Sequence, residues 1–324
     1  MLRRIALLAF ASLLLTSLAA AATDARLVSM LDPATRVVAG LNATAIKSST
    51  FGQYLLAHSA KADLSRFVAN TGFDPRTNLQ QVLFASVGGA NEKQGGMLVK
   101  GTFAPAQALA FAAKKGATPS AYKNLKVAEF AAFTDKRGHA HGPSSLAFLG
   151  SNYAAFGNPE FVHHAIDRFS SVTPADSALA SRIAAASAQF DAWYISTVPG
   201  AEEALSLPQS SPNELVGLAS TALQTVQSQT FGVKFTSSGT TIRGQAVTSS
   251  STEALSLADR LRYMASIAQS QAAEKQKPTL AGLIQKGAST ISTQGANVSW
   301  TAQVSETQLE KLAQAHQQKR QSAK

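Results

Sequence analysis

Gly95-Gly96-Met97-Leu98-Val99-Lys100-Gly101-Thr102-Phe103 runs directly into Ala104-Pro105-Ala106-Gln107-Ala108-Leu109-Ala110-Phe111-Ala112-Ala113-Lys114-Lys115-Gly116. The first segment reads as a strand and the second as a helix. Pro105 stands where a first helical turn tolerates a missing N–H, and Gly116 where a helix stops. The pattern returns further along the chain. Thr240-Thr241-Ile242-Arg243-Gly244-Gln245-Ala246-Val247-Thr248 leads into a Ser/Thr-rich cap and the helix Glu253–Leu261. The echo predicts two related halves, each a sheet carrying helices.

Upstream of the first unit, Gln81–Val87 reads as a buried strand, with Gly88-Gly89 and Gly95-Gly96 bracketing a hairpin loop. Earlier, Thr35–Asn42 has strand character, and Leu64, Phe67 and Val68 are spaced to face a core. Downstream, Leu125–Phe133, Leu146–Leu149 and Tyr153–Phe156 are short β runs. Asn158-Pro159-Glu160 then starts a helix whose Phe161, Val162, Ala165, Ile166 and Phe169 form one apolar stripe. Ser177–Ala188 reads as an Ala-rich bridge between halves.

The second half opens with the strand Phe190–Val198. A polar loop is expected over Pro199–Pro212, a helix over Glu214–Val226, and strands over Thr230–Thr236 and Thr240–Thr248. A long helix, Glu253–Ala273, turns Leu255, Leu257, Leu261, Met264 and Ile267 inward. A shorter helix carries Leu280, Leu283 and Ile284, and Asn297–Val304 alternates as a strand. Paired strands with a helix after roughly every second one give an α+β class: two similar halves, mainly antiparallel sheets, helices packed on one face. The divisions are 1–22 signal peptide, 23–188 first half, 189–318 second half and 319–324 basic tail.

The N-terminus carries an address. Arg3 and Arg4 form a positive region, Ile5–Leu18 is apolar, and Ala19-Ala20-Ala21-Ala22 offers A-x-A cleavage sites. The apolar run falls short of the roughly 20 residues that span a bilayer. No later segment is long and apolar enough to do so. The expected location is periplasmic or secreted, with no stable membrane span after cleavage. The chain has no cysteine, so it has neither a lipid-bearing Cys nor disulfides, and a packed core must hold it. Its 324 residues include 29 basic and 19 acidic ones, for a formal charge of +10. The charges are scattered except in the tail, which argues against nucleic acid as partner.

Ser48–Leu56 and Thr71-Gly72-Phe73-Asp74-Pro75-Arg76-Thr77-Asn78-Leu79-Gln80-Gln81-Val82-Leu83 carry a resemblance. Over some 35 residues the chain resembles a loose group of exported bacterial proteins of unknown function with a GFDPR-x-x-L segment near the mature N-terminus. That motif is a turn. The resemblance implies export and α+β architecture, and no activity.

Four of the six histidines fall together, as His139 and His141 in a Gly-flanked segment and His163-His164 on a helix. An H-x-H pair on an extended segment places both rings on one side. A metal site of His139 and His141, completed by His163 or His164, is therefore the one metal candidate, although it matches no standard ligand spacing. No G-x-S-x-G elbow, H-E-x-x-H, P-loop or G-x-G-x-x-G is present. Glu202-Glu203, Asp191 and Glu129 are the acidic residues to watch for dispersed hydrolytic chemistry. Trp193, Tyr194 and Trp300 are candidates for a binding surface or the core. Arg243, Arg260, Arg262 and Lys234 are candidates for a basic rim. The reading that follows is an exported, non-catalytic binding or scaffold protein of the bacterial envelope, without cofactor, its partners proteins or envelope components. The alternative is a His-dependent metal-binding protein or a hydrolase with a dispersed site.

Overall fold

The computed structural model describes residues 22–57, 61–88, 94–135, 138–204, 214–236, 239–274, 278–311 and 314. The expected signal segment up to residue 21, the basic tail and Leu312 lie outside the described residues, as do the hairpin loop at 89–93 and residues 205–213.

The first half runs α1 (Ala25–Ser29), β1 (Val37–Asn42), α2 (Ala43–Ser48), α3 (Thr50–Ala57), α4 (Lys61–Thr71), β2 (Leu79–Ser86), β3 (Gly95–Gly101), α5 (Pro105–Lys114), β4 (Thr118–Tyr122) and β5 (Leu125–Phe130). It continues with β6 (Phe133–Thr134), β7 (Ala140–His141), β8 (Ser144–Leu149), β9 (Tyr153–Gly157), α6 (Pro159–Arg168) and α7 (Ser177–Gln189). The second half runs β10 (Ala192–Ser196), α8 (Gly200–Ala204), α9 (Glu214–Leu223), β11 (Val226–Thr236), β12 (Gly239–Thr248), α10 (Ser251–Glu274), α11 (Pro278–Ser289), β13 (Ser292–Gln294) and β14 (Asn297–Ser305).

Twelve strands form one sheet in the order β13-β14-β12-β11-β10-β1-β2-β3-β9-β8-β5-β4. The halves therefore share a single sheet. All pairings are antiparallel. β1 and β10 meet at the centre, and each opens the same series of strand, helices, two hairpin strands and helix. The two series fan out from that central pair in opposite directions.

Residues opposite each other in an antiparallel ladder share a face, so the register sorts the sheet into two surfaces. One row joins Trp193, Gly40, Leu83, Leu98, Ala155, Ala147 and Val127. Onto it pack Leu27 of α1 and Met30 at its C-cap, Phe161, Val162 and Ile166 of α6, and Leu179 and Ile183 of α7. The neighbouring row faces the other way, joining Ala128, Leu146, Phe156, Met97, Phe84, Ala39, Tyr194, Phe231, Gly244 and Trp300. On that second face α5 covers Ala128 and Leu146 through Leu109 and Ala112. α9 and α10 cover Ala246 and Val298. The helices that follow the third strand of each half thus share a face, and α1, α6 and α7 add a layer on the other side of the first half.

Local chemistry explains the main unit. Pro105 occupies the first turn of α5, and Gly116 takes a φ of +95° just beyond it. The GFDPR segment is a turn: Asp74 accepts from the Arg76 backbone N–H and guanidinium, while Asn78 Oδ1 accepts from Asp74 N–H.

Four expectations need correction. Leu255 is 56% exposed, because α10 packs through Ala254, Leu257 and Ala258 and Leu255 lies a third of a turn away. Phe67 is 43% exposed, held only edge-on to Phe73. Residues 200–204, expected as loop, form α8, with Pro199 O accepting from the Glu202 and Glu203 N–H groups. The helix expected to reach Val226 stops at Leu223, and Val226 is already the buried first residue of β11. The β-branched pair Thr225-Val226 suits the strand better.

Candidate functional site

On the second sheet face the halves differ in how they fill the space beneath their helices. In the first half the stack Phe73–Phe103–Phe148 occupies it, with ring centroids 5.1 and 5.4 Å apart. In the second half a cavity of about 670 Å³ remains between β11, β12 and β14 below and α9, α10 and α11 above. Its floor is the inward alternation Phe231 on β11, Ile242 and Ala246 on β12, and Val298, Trp300, Ala302 and Val304 on β14. Its roof comprises Leu223, Leu257, Leu261, Met264, Leu280, Leu283 and Ile284.

Small side chains create this volume. Ala219, Ala222, Ala246, Ala265, Ala288, Ala302 and Gly287 all border it, so facing walls do not meet. Gly244 contributes differently. A Cβ there would lie 2.3 Å from Trp300 Nε1, so only glycine lets the indole lie flat on β12. The size falls in the range of small-molecule pockets, about 300–1,000 Å³. An apolar void of this kind offers water few hydrogen-bond partners and leaves its walls without dispersion contacts. A matching apolar occupant supplies both the contacts and the burial.

On the side nearest the sheet centre the cavity is bordered by β11. Phe231 both lines it and is 36% exposed. Ring centroids step from Tyr194 to Phe231 to Trp300 at 6.3 and 6.2 Å, an aromatic row along this face of the sheet. Phe84, next along the same row beyond Ala39, is 50% exposed. Among the described residues no charged side chain borders the cavity, and apart from the Trp300 N–H the polar side chain on this face is that of Gln229; Gln245 borders it from β12 with its side chain turned to the opposite face.

The sequence candidates are distributed as follows. His139 Nδ1 and His141 Nε2 lie 3.2 and 3.4 Å from Asp135 Oδ2 on the exposed β6–β7 hairpin, where His141 also stacks on Phe133. His163 stacks on Tyr122 at 4.0 Å, and His164 pairs with Asp32 at 2.9 Å. The helical pair thus diverges, each ring engaged by a partner of its own. Among the described residues no group of three or more His, Cys, Asp or Glu side chains is placed to hold a metal ion.

The acidic candidates are held by donors. Glu202 pairs with Arg36 at 2.6 Å, Glu129 accepts from Ser120, and Asp191, buried at the β1–β10–β11 junction, accepts from Lys234 and the Phe235 N–H. Glu203 accepts from Ser196, Tyr194 and Gln229. The expected basic rim is dispersed. Lys234 serves Asp191, Arg260 donates to Thr221 O, and Arg262 to Asp259 and Ile291 O. Arg243 lies on the opposite sheet face, beside Arg182 in a polar groove. Trp193 is core and Trp300 is cavity wall.

Sequence reasoning missed α1. Leu27, Val28, Met30 and Leu31 are buried, and Asp24 caps the helix by accepting from Arg26 N–H. Asp24 also pairs with Lys100 at 2.6 Å. Burial works to raise the Asp24 pKa, but the Lys100 ammonium and the Arg26 N–H outweigh it and hold the carboxyl below its ordinary value. The hydrogen bond to Asp24 correspondingly raises Lys100.

No protein-family model matches the chain, and no curated protein matches it. Among solved structures it is similar to three crystal forms of TP0453. Form I is 9% identical with a TM-score of 0.46, covering 91% of this chain and 98% of that one. Form IV is 9% identical at 0.48, covering 89% and 95%, and form III 10% identical at 0.49, covering 91% and 98%. Among the described residues no helix is long and apolar enough to cross a membrane.

Proposed function

We propose that the protein is an exported binding protein of the bacterial envelope whose ligand is a small apolar molecule held between α9–α11 and the second half of the sheet. The single observation that carries this reading is the cavity of about 670 Å³ to whose wall no charged side chain contributes among the described residues. The positively charged, apolar, small-residue N-terminus supports export. Among the described residues the wall also holds no nucleophile or acid–base pair, which supports holding rather than turnover.

The binding energy is hydrophobic. Burying apolar ligand surface gains roughly 25 cal/mol per Å², set against the freedom lost on binding. The test fills the cavity from its floor. Ala246 faces the void from β12, and phenylalanine is a good strand residue. Ala246→Phe should leave the urea unfolding midpoint equal to or above wild type and abolish saturable binding of N-phenyl-1-naphthylamine, followed by fluorescence. Equal dye binding by wild type and a folded Ala246→Phe variant would place the ligand elsewhere and overturn the reading.

A further inference from the structure

Resting on the apolar-ligand reading above, we infer that the occupant carries an uncharged head with a hydrogen-bond donor, and that the mouth discriminates against anionic heads. The glutamine amide on the cavity's face of the sheet is that of Gln229, which pairs with Ala246 across the β11–β12 ladder, whereas Gln245 pairs with Ser299 and turns its side chain to the opposite face with Arg243. Gln229 Nε2 donates to Glu203 Oε2 at 2.7 Å. With its Nε2 fixed on Glu203, the Gln229 amide has its carbonyl oxygen left to meet an incoming head, and a carbonyl oxygen calls for a donor.

Charge points the same way. The side chain that holds Gln229 at the exposed Phe231 end is the carboxylate of Glu203. An anionic head there would be desolvated beside a carboxylate, with no lysine or arginine among the described residues of the cavity wall to receive it. The arginines on the helical roof are turned to backbone: Arg260 to Thr221 O, and Arg262 to Ile291 O and Asp259. Arg36, near α8, is engaged by Glu202. The arrangement fits a long-chain alcohol, amide or similar neutral amphiphile and disfavours a free fatty acid or phosphate ester. Glu203 is a positioning residue here, acting on the ligand through Gln229 and through its charge.

The experiment is displacement of bound N-phenyl-1-naphthylamine by hexadecan-1-ol and by hexadecanoate, both below their aggregation limits, at pH 8. The alcohol should displace the dye at a concentration at least about tenfold lower than the acid, which corresponds to about 1.4 kcal/mol. Glu203→Gln, which keeps the size and acceptor oxygen but loses the charge, should pull the two curves together by improving the acid. Gln229→Leu should weaken the alcohol while the dye still binds. Hexadecanoate displacing the dye as well as the alcohol does, or a ratio unmoved in Glu203→Gln, would overturn the head-group inference while leaving the apolar site intact. Saturable dye binding displaced by neither compound would overturn the chain-like ligand itself.

Discussion

Replacing Leu27 by alanine tests whether the short α1 is part of the core or a passive lead-in. Leu27 is 0% exposed and packs in the cluster that joins α1, α6 and α7 to the sheet. A helix of five residues has almost no stability of its own, so its seat depends on Leu27, Val28, Met30 and Leu31. Truncating a fully buried leucine costs about 2.7–5.0 kcal/mol, the spread reflecting how far the site collapses. Leu27 is ringed by other elements rather than by a yielding loop, which places the expected loss in the upper part of that range. Leu255→Ala is the internal control. It removes the same atoms from a half-exposed position on α10, where alanine is the better helix former, and should stay within about 0.5 kcal/mol of wild type. Urea unfolding followed by tryptophan fluorescence reads both, because Trp193 lies in the same cluster as Leu27. A Leu27→Ala loss below about 1 kcal/mol, or equal to that of Leu255→Ala, would refute the assignment of α1 to the core.

Two further outcomes follow from the polar contacts. The Asp24 carboxyl is depressed in the folded state, so its contribution is present above its unfolded value near 3.8 and is lost as pH falls through the folded value. The stability gap between wild type and Asp24→Asn should therefore be full at pH 7 and close below pH 3.8; a gap that is constant with pH would contradict the Lys100 pairing. Asp191→Ala should cost roughly 1–3 kcal/mol, since it orphans the Phe235 N–H near the end of β11; an unchanged unfolding midpoint would show that the junction does not need it.

Much of the fold was legible because its signals are local. Pro105 and Gly116 bounded α5, and the Phe161-Val162-Ala165-Ile166 stripe marked α6 as buried. Alternation through Val298, Trp300, Ala302 and Val304 set the inward face of β14. The errors lie where tertiary packing overrides local pattern. Leu255 has the right hydrophobicity but the wrong angle on α10, and Leu27 sits in a segment too short to show periodicity. The candidate site was legible only in its floor. A cavity arises from how far α9–α11 stand off the sheet, and a run of alanines reads equally well as close packing or as vacated space. The Glu203–Gln229 contact joins residues 26 positions apart, and neither belongs to a recognisable motif. The histidines were conspicuous in sequence because they are clustered there, yet the fold gives each a separate local partner or, for His139 and His141, a shared carboxylate.

The most direct test of the central claim is organic extraction and mass spectrometry of the protein purified, without detergent, from its own cell envelope. The account predicts a neutral apolar molecule recovered at up to one equivalent from wild type and not from a folded Ala246→Phe variant. Recovery of the same molecule from both proteins, or of none from wild type together with no saturable dye binding, would contradict it.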